Sequence, residues 1–142
     1  MDHSSISTLI SLLARRHRAL AAELIEPLGL APGQESLLML LAEEEPVSQA
    51  HVARTLVIEA ATVTKMVERM ERNGLVERTR SAHDRRIVLV SRTERARERH
   101  SDLLAAWARL DQLTLQDLTA DDSRRLSALL GTLLHNVDSA RP

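Results

Sequence analysis

The chain has 142 residues, 44% hydrophobic and 27% charged, with a formal net charge of −1; this suits one domain, or two only if both are small, with a real core. Cysteine is absent, which excludes disulfides, thiolate-ligated zinc and thiol redox switching, and fits a reducing compartment. Trp107 is the only aromatic residue, so a stacking platform for single-stranded nucleic acid is excluded.

Ile6, Leu9, Ile10, Leu13, His17, Leu20, Leu24 and Leu28 recur at three- and four-residue steps. The spacing predicts an amphipathic helix starting near Ser4 or Ser5 and ending near Pro27-Leu28-Gly29. Pro32 suits the first position of a second helix, which carries Leu37, Leu38, Leu40 and Leu41 and ends at Glu43-Glu44-Glu45-Pro46. Ser48 is a good N-cap for a short third helix bearing Val52 and Leu56. A turn over 56–59 leads to a fourth helix with an inner stripe of Val63, Met66/Val67 and Met70, stopped by Asn73-Gly74. Two short helices joined by a tight turn form a helix-turn-helix.

Leu75-Val76-Glu77-Arg78 and Ile87-Val88-Leu89-Val90 read as two strands. Between them an Arg-rich stretch, 79–86, forms the tip of a hairpin. A basic hairpin directly after a helix-turn-helix is a winged helix. Ser91-Arg92-Thr93-Glu94 has capping-box spacing and opens a long helix with Leu103, Leu104, Trp107, Leu110, Thr114 and Leu118 at helical steps. A last helix starts at Thr119-Ala120-Asp121-Asp122 and carries Leu126, Leu129, Leu130, Leu133, Leu134 and Val137. The expected fold is mainly α with a small β-hairpin. It is a single domain over 1–142, with a winged helix at about 32–91 flanked by dimerisation helices at about 5–28 and 92–138. The flanking helices carry apolar stripes that a module of about sixty residues cannot cover, and a second copy of the chain solves this with two-fold symmetry.

Charge is unevenly placed. Residues 54–99 hold twelve Arg/Lys against seven Asp/Glu, while the rest of the chain holds seven against thirteen. The basic middle is the footprint of a polyanion-binding surface. All cations but Lys65 are Arg, which favours bidentate contacts. On the fourth helix Thr62, Lys65, Arg69 and Arg72 share one face, opposite Val63, Val67 and Met70. A helix in the major groove needs this division, with the N-terminal residues reaching bases most often. Thr62 and Lys65 are the base-reading candidates, with the Ala61 methyl against a thymine methyl. Arg69 and Arg72 either meet phosphate or pair with Glu68 and Glu71. In the hairpin tip, Arg80, Arg85 and Arg86 fit a narrow, electronegative minor groove. Asp84 is repelled by phosphate and so has a different role, pairing with the Arg86 guanidinium and aiming it.

At Asn73-Gly74-Leu75-Val76-Glu77-Arg78 and His83-Asp84-Arg85-Arg86-Ile87-Val88-Leu89-Val90-Ser91 the chain resembles the MarR family of transcriptional regulators. The resemblance extends from about Ile6 to Val137. It implies a homodimer of winged helices on a palindromic double-stranded operator, with Arg86 in the minor groove, Asp84 orienting it, and Ala61, Thr62 and Lys65 in the major groove. Ser48, at the start of the helix-turn-helix, joins the expected DNA contacts. Two positions depart from the family pattern, Arg92 for the usual Leu and Ala96 for the usual Gly, and both bear on how the long helix begins. The family also implies repression relieved by a small anionic aromatic effector between the dimerisation helices and the winged helix. Arg15, Arg18 and Met39 fall where such pockets lie, although no aromatic residue is expected to line one. Cysteine-based peroxide sensing is excluded by composition.

No enzyme is expected: the sequence holds no phosphate-cradling Gly loop, nucleophile elbow or nucleophile–base pair. The histidines, His3, His17, His51, His83, His100 and His135, show no ligand spacing, so no metal and no cofactor are expected. No stretch approaches the roughly 20 apolar residues of a membrane span, and no basic-headed leader is visible. A cytoplasmic protein with no membrane partner is expected. A winged helix used only for protein contact is the alternative function; it would not need clustered Arg on the helix front and the wing.

Overall fold

The structure is a computed structural model, and it describes residues 5–141. His3 and Ser4 lie outside the described residues. The chain separates into two compact units, with the boundary between Trp107 and Ala108.

In the first unit, helix α1 covers Ile6–Ile25, and the Ser5 hydroxyl oxygen accepts from Thr8 N–H as its N-cap. A 3-10 turn, Glu26–Leu28, continues the predicted helix to its expected end. The α-helix itself stops earlier because Pro27 has no N–H to extend the ladder. Helix α2, Gln34–Glu43, starts later than Pro32. Its N-cap is Gly33, in the left-handed region at φ 93. The Gln34 and Glu35 side chains fold back to accept from Ala31 N–H (3.1 Å) and Gly33 N–H (2.8 Å). Pro32 therefore precedes the cap instead of opening the helix. Helix α3, Gln49–Leu56, is capped by Ser48 as expected, whose Oγ accepts from His51 N–H. The turn that follows holds Val57 at φ 54, and α4 covers Ala60–Arg72. Val63, Val67 and Met70 are all fully buried. Gly74, at φ 71, takes the left-handed conformation that ends α4.

The wing differs from a simple hairpin. Three antiparallel strands, β1 Val47–Ser48, β2 Val76–Arg80 and β3 Val88–Arg92, lie in the order β1-β3-β2. Val47 opposes Val90, and Arg78 opposes Val90 from the other side. Both wing strands sit one or two residues later than the apolar runs suggest: Thr79–Leu89 and Arg80–Val88 pairing carries β2 into the Arg-rich stretch, and Val76–Arg92 and Glu77–Ser91 pairing carries β3 past Val90. A two-residue strand such as β1 carries no periodicity of its own and is not legible in the sequence.

The long helix after the wing is interrupted. Helix α5 spans Glu94–Glu98, Arg99 breaks the path, and α6 spans His100–Thr114. No Gly or Pro marks that break. Thr93, not Ser91, is the cap: its Oγ1 accepts from Ala96 N–H and donates to the Gly74 carbonyl at 2.6 Å. Ser91 is a strand residue. The core of this unit gathers Ile25, Leu37, Leu41, Val52, Val63, Val67, Met70, Val76 and Val90. Ala96, where the family pattern has Gly, is buried at its edge.

In the second unit α7 covers Ala120–Ser139. Thr119 and Asp122 form a reciprocal capping box, with Asp122 N–H donating to Thr119 Oγ1 and Thr119 N–H to the Asp122 carboxylate. Leu129, Leu130, Leu133, Leu134 and Val137 remain exposed on α7.

Candidate nucleic-acid interface

Helix α4 is sharply two-sided. Its apolar back is buried, while Ala61, Thr62, Lys65, Arg69 and Arg72 are exposed. No side chain caps its N-terminus, so the first-turn N–H groups stay available to an anion. Thr64, which no sequence pattern marks, bonds back to the Ala60 carbonyl and accepts from Gln49 Nε2 at 3.2 Å. That contact joins the starts of α3 and α4. Ser48 uses an oxygen lone pair on the α3 cap and keeps its hydroxyl proton for another acceptor.

Of the two readings open for Arg69 and Arg72, the pairing with Glu68 and Glu71 is not found. Glu71 accepts from Arg78 Nη2 at 2.8 Å and Nε at 3.3 Å, and Glu68 lies 3.9 Å from Arg78 Nη1. Both acids therefore face β2. Among the described residues Arg69 and Arg72 have no acidic partner. The hydrogen bond from Arg78 holds the Glu71 carboxyl below the usual carboxylate range, against a smaller opposing effect of desolvation. The same contact pushes the Arg78 guanidinium up.

The wing tip is a braced loop. Ser81 is buried; its N–H donates to the Ile87 carbonyl, its Oγ accepts from His83 N–H, and Ile87 N–H donates to the Asp84 carbonyl. Arg80 Nη1 donates to the Arg85 carbonyl at 3.0 Å. Asp84 Oδ1 accepts from the Arg86 backbone N–H (3.0 Å) and Nε (3.2 Å), and Oδ2 accepts from Nη2 (3.3 Å). The Arg86 side chain is nevertheless 92% exposed. The side-chain hydrogen bond from Arg86, reinforced by its backbone N–H, lowers the Asp84 carboxyl. The acid thus holds a guanidinium in open solvent without covering it.

Arg92, the departure from the family pattern, also has a partner. Glu45 accepts from Arg92 N–H (2.7 Å), Nε and Nη2, and from Arg97 Nε and Nη2. This network ties the base of the sheet to the α2–β1 connection.

The residues expected at an effector pocket divide. A cavity of about 290 Å³ is lined by His17, Arg18, Ala21, Glu35, Ser36 and Trp107. Arg18 is on it; Arg15 is exposed elsewhere on α1, and Met39 lines a neighbouring cleft with Leu56 and Trp107. The expectation that no aromatic lines this region is overturned. Trp107 sits far along the chain, and only its packing against the core brings it there. Among the described residues no group of three His, Asp or Glu side chains forms a metal site, and no helix is long and apolar enough to cross a membrane.

Comparison with known proteins places this architecture. A family profile described as "MarR family" matches residues 30–88. The uncharacterized HTH-type transcriptional regulator YwoH of Bacillus subtilis (strain 168) is 32% identical over 114 residues, covering 80% of this chain and 82% of that protein. The chain belongs to the MarR family. A probable transcriptional regulator from Pseudomonas aeruginosa shares 31% identity and the same fold, with a TM-score of 0.83 over 92% of this chain and 97% of that one. A putative MarR family transcriptional regulator from Listeria monocytogenes, whose structure is a complex with 26mer DNA, has the same fold at 20% identity, with a TM-score of 0.86 over 94% of this chain and 89% of the other. The shared fold includes the helix-turn-helix of α3 and α4 and the β2–β3 wing with its 81–87 loop.

Proposed function

We propose that this MarR-family regulator binds palindromic double-stranded DNA as a homodimer, with α4 in the major groove and the wing in the flanking minor groove. Ala61, Thr62 and Lys65 read base edges; Ser48, Arg69, Arg80 and Arg85 meet the backbone; Arg86, aimed by Asp84, enters the minor groove. One observation carries this reading: a guanidinium held bidentately yet 92% exposed, on a tip whose backbone is itself hydrogen-bonded. Such preorganisation lowers the ordering cost of a contact made with an external acceptor. A wing used only for protein contact has no need of it.

The dimer is supported by the exposed apolar faces of α1 (Ile6, Leu9, Ile10, Leu13) and of α7. Each is a continuous stripe of the kind that a second copy of the chain covers. Two-fold symmetry then sets operator half-sites about one helical turn apart. Repression relieved by a small aromatic anion is supported by the cavity beside Trp107, where Arg18 offers a cation for a carboxylate, Trp107 an aromatic face for a ring, and the lining Glu35 carboxylate is already engaged by Gly33 N–H.

The test is enrichment of random and genomic duplexes on the purified protein, followed by sequencing. A palindromic consensus with half-sites one turn apart is expected. Retention of no duplex, or of non-palindromic sequence bound equally well by Arg86→Ala, overturns the reading.

A further inference from the structure

We propose that a cleft formed by the α4 terminus, the end of the 3-10 turn and α5 is a binding site for a small, doubly charged oxyanion of the phosphate monoester type. The cleft has a volume of about 370 Å³ and is lined by Gly29, Arg72, Asn73, Gly74, Arg95 and Arg99. It therefore gathers three guanidinium groups. All three arginines are exposed, and among the described residues none has an acidic partner.

Two of them are held in place. Arg95 Nη1 donates to the Asn73 carbonyl at 3.2 Å, and Arg99 Nη1 donates to the Leu28 carbonyl at 2.8 Å. Each contact uses one nitrogen and leaves the rest of the fork free. It also gives a carbonyl at the end of a helix or turn a donor, which offsets part of its repulsion of an anion. Each guanidinium stands over a left-handed glycine. A Cβ on Gly74 would lie 3.5 Å from Arg95 Nη1, and one on Gly29 would lie 3.8 Å from Arg99 Nη1. The glycines thus keep side-chain bulk off the floor of the cleft. Arg72 completes the set without making a helix-end bond. Three positive charges and no aromatic lining suit a hydrophilic dianion, not the ring-bearing ligand that fits the Trp107 cavity.

The cleft is distinct from the DNA-reading end. Arg72 lies ten residues beyond Thr62 on the same helix, about 15 Å along its axis at 1.5 Å per residue. The proposed occupant is a free small anion, and the duplex arm of the test below separates it from a backbone phosphate of the operator.

Inorganic phosphate is the probe. The 142-residue chain is titrated at constant ionic strength, with the backbone amide signals of Gly29, Asn73 and Gly74 and the side-chain Nε signals of Arg95 and Arg99 followed by NMR. Saturable shifts confined to these groups are expected. Affinity should fall at least fivefold in Arg95→Gln and Arg99→Gln and be unchanged in Arg86→Ala. Arg72 makes no helix-end contact, so Arg72→Gln serves if the other two variants fail to fold; it should also weaken binding. Non-saturating shifts in the native protein, or equal affinity in the folded variants, overturn the proposal. A short duplex added in place of phosphate should leave the cleft signals unmoved; specific displacement of phosphate by that duplex would also overturn it. No arm depends on operator binding, so failure here is separate from failure of the DNA reading.

Discussion

Arg78 on β2 and Glu71 on α4 are joined by two side-chain hydrogen bonds, and the Glu71 carboxylate also accepts the Arg78 backbone N–H at 3.3 Å. One acid therefore couples α4 to the first wing strand through both side chain and main chain. Glu71→Gln should leave the thermal midpoint nearly unchanged, because the pair is part-exposed, yet lower operator affinity several-fold by loosening the angle between helix and wing. Thermal denaturation and fluorescence anisotropy on the same samples check both halves.

Arg86→Ala should weaken operator binding at least tenfold and make the dependence of log K on log salt less steep, because a cation is lost from the electronegative minor groove. Asp84→Ala keeps that charge but frees the guanidinium, so affinity should fall less and the salt slope should stay the same. Anisotropy titrations at four salt concentrations separate the two variants.

Glu45 supplies an acid-sensitive anchor. Burial pushes its carboxyl up, but the hydrogen bonds and charge of Arg92, with a hydrogen bond from Arg97, outweigh this and hold it below the usual range. A carboxylate lowered in the folded state contributes stability above its unfolded pKa, and the contribution is lost as pH falls through the folded value. Glu45→Gln should therefore destabilise the protein at pH 7, on the order of 2 kcal/mol because Arg92 is left nearly buried without its partner. The penalty should shrink below pH 4. Urea midpoints of both proteins from pH 7 to pH 3.5 give the answer.

Val57 is a β-branched residue at φ 54 in the turn of the helix-turn-helix, and its side chain is exposed. Left-handed backbone costs a β-branched residue roughly 1 kcal/mol or more, and glycine has no such cost. Val57→Gly should stabilise the fold by about 0.5–1 kcal/mol, read from the shift in urea midpoint at unchanged m-value.

The exposed stripe of α7 tests the dimer. Leu134→Glu places a charge in a face that a second copy would cover, and should shift the mass measured by light scattering from dimer to monomer at micromolar concentration. A native protein that is monomeric at this concentration contradicts the assembly directly.

Features that depend on near neighbours along the chain can be read without knowing the fold. The three-and-four spacing of Val63, Val67 and Met70 orients α4, because helical periodicity places those residues on one face whatever surrounds them. Asn73-Gly74, Ser48 and Thr119 mark helix ends through local hydrogen bonds and the conformational freedom of glycine. Asp84 and Arg86, two residues apart, can be paired on paper. Features that require distant segments to meet are visible only in the folded chain. Val47–Ser48 is a strand only because Val90 and Leu89 lie open to it. Glu71 turns to Arg78 and leaves its helix neighbours Arg69 and Arg72 without an acid. Trp107 reaches the cavity beside Arg18, and Arg95 and Arg99 rest over Gly74 and Gly29, which belong to earlier elements of the chain. Spacing encodes geometry only within a helical turn or a strand pair; beyond that, side-chain partners are set by how the packed core brings the surfaces of separate elements together.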